Sequence, residues 1–107
     1  MVEEQMKNVT VMTKANIYWD GKVTSRTGYR NDGSKFTLGI ITAGTYTFDV
    51  GDKEIVSLIS GEAEIILPGQ TQWQKVKTPE VFEVPADSQY KIRTCGVTEY
   101  LCDYIKK

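Results

Sequence analysis

Chemistry in this chain has to be done without imidazole, because none of its 107 residues is a histidine. That excludes Ser-His-Asp and Cys-His nucleophilic centres, His-ligated zinc, iron or copper, and the usual near-neutral general base. Carboxylates, phenols, cations and two thiols are left. Glu62 and Glu64 stand at i, i+2 on one face of a candidate strand. Paired carboxylates can do acid–base work, but this spacing reads first as a solvated outer face. Cys95 and Cys102 form a C-x6-C spacing that matches no metal pattern, and two cysteines cannot build the framework of a small secreted domain. Both are expected as reduced sheet or core residues. Arg93, close to Cys95 in sequence, is the feature that would favour a thiolate there. Lys22, Arg26, Lys35 and Arg93 are candidates for holding an anion, Arg93 in a bidentate manner.

Length and charge narrow the class. A chain of 12.1 kDa has room for one domain. Lys and Arg number 13 and Asp and Glu 14, so the formal net charge is −1. A nucleic-acid binder needs a basic surface, and so does a protein held electrostatically on a membrane. No apolar run exceeds three residues, far short of a span. The start of the chain carries Glu3 and Glu4 and no apolar segment, so it is not a secretory signal. The expectation is a cytoplasmic protein with neither nucleic acid nor membrane as partner. Apolar residues make up 40% of the chain, enough for a core.

The elements that must position these groups are strands. Residues 1–13 lack periodicity and are expected to form a flexible leader, with 14–107 as the single domain. From residue 17 onward, runs rich in Val, Ile, Thr, Tyr and Phe alternate with Gly, Pro, Asn and Asp about every ten residues, the cadence of an antiparallel sandwich or barrel. Strands are predicted at 22–27, 35–42, 45–50, 54–60, 62–67, 72–76, 81–84, 89–94 and 99–105. In 35–42, Phe36, Leu38 and Ile40 share one face; in 99–105, Tyr100, Cys102 and Tyr104 oppose Leu101, Asp103 and Ile105. No window repeats its apolar positions at helical spacing. The prediction is an all-β chain of nine or ten strands with little or no helix. So much sheet in so short a chain must curl or close to hide its edges.

The middle of the chain resembles a cupin. The first cupin motif runs Gly, five residues, His-x-His, a Glu, and a Gly after six more residues. Here Gly44 opens the stretch, Glu54 precedes Gly61 by the right interval, and Val50 and Asp52 stand where the histidines would. The gap before Glu54 is two residues short. The second motif keeps Pro85, places Asp87 at the turn, and puts Tyr90 in the place of its His. The pattern is that of a jelly-roll barrel without its metal triad.

A more specific resemblance covers residues 16–105. The segments IYWDGKV (17–23), GTYTF (44–48), ISG (59–61), LP (67–68), WQ (73–74), FEVP (82–85) and YLCDY (100–104) occur in the order and spacing of the small pyrimidine/purine nucleoside phosphorylases, which are metal-independent cupins. The resemblance implies phosphorolysis of many ribonucleosides to free base and ribose 1-phosphate, with phosphate as co-substrate, no cofactor and no metal, in a homodimer. Such a reaction passes through an oxocarbenium-like sugar. Glu54 is the candidate for the ribose hydroxyls and the cationic sugar, with Tyr90 as its catalytic companion. Lys35 and Arg93 are candidates for phosphate. Tyr46, Phe48, Trp73 and Tyr104 are candidates for the base, since a ring stacks on any nucleobase. Tyr18 and Trp19 suit a dimer contact equally well. Two other readings stay open: a dimeric cupin that binds a small molecule without turnover, and a metal-free sugar isomerase or lyase using Tyr90 and Glu54 as an acid–base pair.

Overall fold

The computed structural model describes residues 2–106, and Met1 and Lys107, the outer ends of the expected leader and domain, lie outside it. Eleven strands run in order: β1 (Thr10–Val11), β2 (Asn16–Tyr18), β3 (Val23–Tyr29), β4 (Lys35–Ile41), β5 (Gly44–Val50), β6 (Lys53–Ser60), β7 (Glu62–Ile66), β8 (Gln74–Lys77), β9 (Val81–Val84), β10 (Ser88–Thr94) and β11 (Thr98–Ile105). A single turn of 3-10 helix, Trp19–Gly21, joins β2 to β3. The fold is all-β, as the turn cadence predicts. No helix among the described residues is long and apolar enough to cross a membrane.

The ladders form two antiparallel sheets rather than one continuous hydrogen-bonded ring. The larger has the order β1-β3-β4-β11-β6-β9, with β2 also on β3; the smaller is β5-β10-β7-β8. Their inner faces enclose a core that includes Val23, Ile41, Val56, Leu58, Ile65 and Ile92. Side chains alternate across each strand, so each sheet has an inner and an outer row.

Two differences from the sequence reading concern the strands. The nine predicted strands all exist, but β1 and β2 are added. They are too short to show alternation, and β3 recruits them at its free edge. β8 also begins at Gln74, which leaves Trp73 in the preceding loop. β4 shows which of its two rows faces inward. Its more apolar face, Phe36, Leu38 and Ile40, points outward, while Thr37, Gly39 and Ile41 point inward; Leu38 and Ile40 stay substantially exposed. Phe36 is nonetheless buried, because its ring lies over Gly28 of β3, where a Cβ would strike it.

Candidate active site

Five inward positions from three strands meet at one end of the interior. Glu54 is the second residue of β6, Tyr104 lies opposite it on β11, and Cys102 follows two residues back on the same face. Lys35 and Thr37 come from the first residues of β4. The Tyr104 hydroxyl is 3.1 Å from Thr37 Oγ1, and the Lys35 ammonium sits 4.7 Å from the centre of the Tyr104 ring. The Cys102 thiol donates to the Asp103 carbonyl at 3.8 Å and lies beside the Glu54 carboxyl.

Tyr90 joins this end from the second sheet. Its ring stacks on Phe48 at 5.6 Å between centroids and meets the edge of Phe82 at 5.7 Å. An aromatic path continues outward, with Trp19 5.3 Å from Phe48 and 5.0 Å from Tyr46. A second polar group lines the inner face of β2 and β3. There the Asn16 side-chain amide donates to Ser25 Oγ at 3.2 Å and Thr27 Oγ1 at 3.0 Å, and the Tyr100 phenol lies close to Ser25.

Burial dominates the electrostatics. It raises the Glu54 carboxyl above the usual glutamate value, opposed by the adjacent Cys102 thiol and the Lys35 charge. It also pushes Tyr90 well above an ordinary phenol, and the Glu54 charge adds to the shift. Tyr100, Tyr104 and the Cys102 thiol are raised first by burial and then by their mutual charges and that of Glu54. Near neutral pH the three phenols and the thiol are therefore hydrogen-bond donors, not bases. A half-buried carboxyl ringed by neutral donors, with a cation at its edge, can hold sugar hydroxyls and favour positive charge on a sugar carbon.

Not every residue singled out from sequence converges here. Glu54, Tyr90, Tyr104, Lys35 and Phe48 do. Tyr46 is buried nearby, but its hydroxyl is committed to the β4–β5 turn, donating to the carbonyls of Thr42 at 3.0 Å and Ala43 at 3.2 Å. Arg93 and Trp73 lie elsewhere. Arg93 has the opposite parity to Tyr90 and Ile92 on β10, so it stands outside the sheet, paired with Glu64 at 3.0 Å and stacked 4.0 Å over the Trp73 ring. Glu62 and Glu64 lie on that same outer face. Cys95 is exposed and Cys102 buried, both as free thiols.

Asn16, Tyr100 and Cys102 are interior residues that sequence reasoning did not place in the site, whereas Ser25 and Thr37, also interior, are hydroxyls that the sequence offers as helpers to a phosphate-binding cation. Only the odd–even alternation of 99–105 signalled Tyr100 and Cys102, as companions of Tyr104. Two clefts lie away from Glu54 and Tyr90. One of about 830 Å³ is lined by Glu64, Lys75, Arg93 and Cys95; the other, of about 930 Å³, is lined by the leader and β4 and reaches Ser25 and Tyr100. Among the described residues, no group of three or more His, Cys, Asp or Glu side chains is placed to hold a metal ion.

The two facing sheets, with a carboxyl and phenols where cupins carry metal ligands, define a small cupin-like β protein. The profile of one family, pyrimidine/purine nucleoside phosphorylase, matches residues 13–104. The chain is 47% identical over 102 residues to the pyrimidine/purine nucleoside phosphorylase of Syntrophotalea carbinolica, covering 95% of this chain and 98% of that one. It is 49% identical to the protein of the same name from Sulfurimonas denitrificans, with the same coverage. The chain belongs to the pyrimidine/purine nucleoside phosphorylase family. A crystal structure of a protein of unknown function from Acinetobacter sp. ADP1 superposes with a TM-score of 0.92 at 34% identity, over 94% of this chain and 98% of that one. The EutQ protein of Clostridium difficile shares the fold alone, with a TM-score of 0.63 at 15% identity over 77% of this chain and 61% of its own.

Proposed function

We propose that the chain is a nucleoside phosphorylase of broad specificity, working at the Glu54–Tyr90 end of the interior. An oxygen of orthophosphate forms the new bond to C1′ of the ribose. The glycosidic C–N bond breaks, its electron pair leaves with the base nitrogen, and the base takes up a proton. The products are free base and α-D-ribose 1-phosphate. The observation that carries this reading is the half-buried Glu54 carboxyl among the neutral donors of Tyr90, Tyr104 and Cys102, in a chain of this family.

In this reading Glu54 holds ribose hydroxyls and offsets the charge of the oxocarbenium-like sugar. The Tyr90 phenol, kept protonated by burial, donates a hydrogen bond to the departing base. Lys35 meets the phosphate at the edge of the site. Breadth of specificity follows from the lining: rings stack on purines and pyrimidines alike, and hydroxyls can rotate to donate or accept.

The test is base release from uridine, adenosine and guanosine, with and without phosphate, in the presence of a chelator. Phosphate-dependent release that survives chelation supports the reading. Release without phosphate makes the protein a hydrolase, and binding without release makes it a binding protein.

A further inference from the structure

Trp19 belongs to an unusual turn. Three successive residues take left-handed backbone angles: Trp19 with φ 48°, Asp20 with φ 55° and Gly21 with φ 88°. Glycine is at ease there and aspartate is tolerated, but a bulky aromatic is disfavoured. A standard turn would let residue 19 relax, so something must be gained from holding it. The turn is closed by the Lys22 N–H donating to the Trp19 carbonyl at 3.1 Å. Its effect is to swing the indole across the gap between the two sheets. The ring meets Phe48 edge-on and leans on Tyr46, yet remains 43% exposed. Tyr18 flanks it at 6.1 Å. Phe48 in turn stacks on Tyr90, beside Glu54. The indole is thus the outer end of a line of rings leading to the carboxyl, with much of its surface open to solvent.

We propose that Trp19 is the stacking wall that receives the nucleobase, and that the left-handed turn exists to hold its ring at the mouth of the interior. The inference rests on the nucleoside reading above and adds the residue that grips the base. Local strain retained next to a site is expected where positioning matters more than stability. An indole accepts purines and pyrimidines without discrimination, which fits a broad substrate range.

The chain has two tryptophans, Trp19 and Trp73. In a Trp73→Phe protein, Trp19 is therefore the sole indole reporter. Titration with inosine or uridine, without phosphate so that no turnover occurs, should quench its emission saturably, with a midpoint near the KM of each nucleoside. Trp19→Gly, which suits the left-handed backbone, should raise KM for both nucleosides tenfold or more while kcat stays within about threefold. Trp19→Phe should recover most of that loss. A Trp19→Gly protein with unchanged KM and a lowered Tm would show that the ring only packs, and would overturn the inference. Emission unmoved at nucleoside concentrations that saturate turnover would overturn it as well, and would leave the phosphorylase reading standing. A wild-type protein with neither base release nor quenching would remove both.

Discussion

Tyr100 lies across Gly39. The two residues are cross-strand partners on β11 and β4, and a Cβ at position 39 would overlap the ring and hydroxyl of Tyr100. The missing side chain is what lets the phenol lie flat against β4. Gly28 and Phe36 repeat the arrangement on β3 and β4, on the outer face of the same sheet. An aromatic ring laid over a glycine partner restores the packing that glycine removes from a strand.

A methyl group separates the two cases. Gly39→Ala and Gly28→Ala should each cost about 1–3 kcal/mol, the usual range for overpacking a well-filled position. Only Gly39→Ala should also lower turnover per folded molecule, because it displaces a ring inside the interior. Thermal melts and steady-state kinetics on the two variants check this. Equal loss of turnover in both would mean that activity follows stability alone.

Glu54 couples the site to pH. Burial raises its carboxyl, so the folded protein binds that proton more tightly than the unfolded chain does. The sign follows. The contribution of Glu54 to stability is fully present below the ordinary glutamate range and is lost as pH rises through the raised folded value. Near pH 7 the wild type carries a half-buried carboxylate that a glutamine would not. Glu54→Gln should therefore match or exceed the wild-type Tm at pH 7 to 8, and the gain should shrink toward pH 4. Turnover should fall roughly 100-fold or more, the usual cost of losing a group aimed at transition-state charge. Melts across that pH range, paired with single-substrate kinetics, read both effects.

Arg93 has the better phosphate-binding geometry in the sequence but a strand parity opposite to Tyr90, and the structure separates it from Lys35. Lys35 stands over Tyr104 at the Glu54 end, whereas Arg93 is committed to Glu64 and Trp73 outside. Lys35→Gln should raise KM for phosphate roughly tenfold, equivalent to about 1.4 kcal/mol of a charge-assisted contact. Arg93→Gln should leave it within about twofold. Initial rates against phosphate concentration distinguish the two, and a reversed order would move the phosphate to the outer face of β10.

How much of this was legible beforehand differs between fold and site. The strand cadence, the turn residues and the Tyr100–Cys102–Tyr104 parity follow from local rules of alternation. The parity of Arg93 against Tyr90 and Ile92 could be read from β10 alone. The orientation of β4 could not. Alternation separates Phe36, Leu38 and Ile40 from Thr37 and Gly39 without saying which row faces inward, and that choice depends on Tyr100 occupying the space above Gly39, a contact more than sixty residues apart in sequence. Asn16 was invisible for a similar reason: its role depends on β2 adding to the edge of β3. Trp19 was visible as an aromatic, but its left-handed backbone was not.

The outward face of the larger sheet leads to the last prediction. Cross-strand pairing places Ile17, Thr24, Ile40 and Glu99 in one row and Arg26, Leu38 and Leu101 in the next. Ile17 is 66% exposed and Ile40 42%, an apolar patch on a small protein. Arg26 and Glu99, of opposite charge, lie on the same face, which is the arrangement a two-fold axis can use, since each copy offers both partners. We propose that a second copy of this chain covers the patch. Wild-type protein should sediment as a dimer, and Leu38→Glu with Ile40→Glu should yield a folded monomer, because like charges buried opposite one another cannot be compensated. Sedimentation with a thermal melt on each protein settles the matter: a monomeric wild type, or a variant that stays dimeric, would remove this face from the assembly.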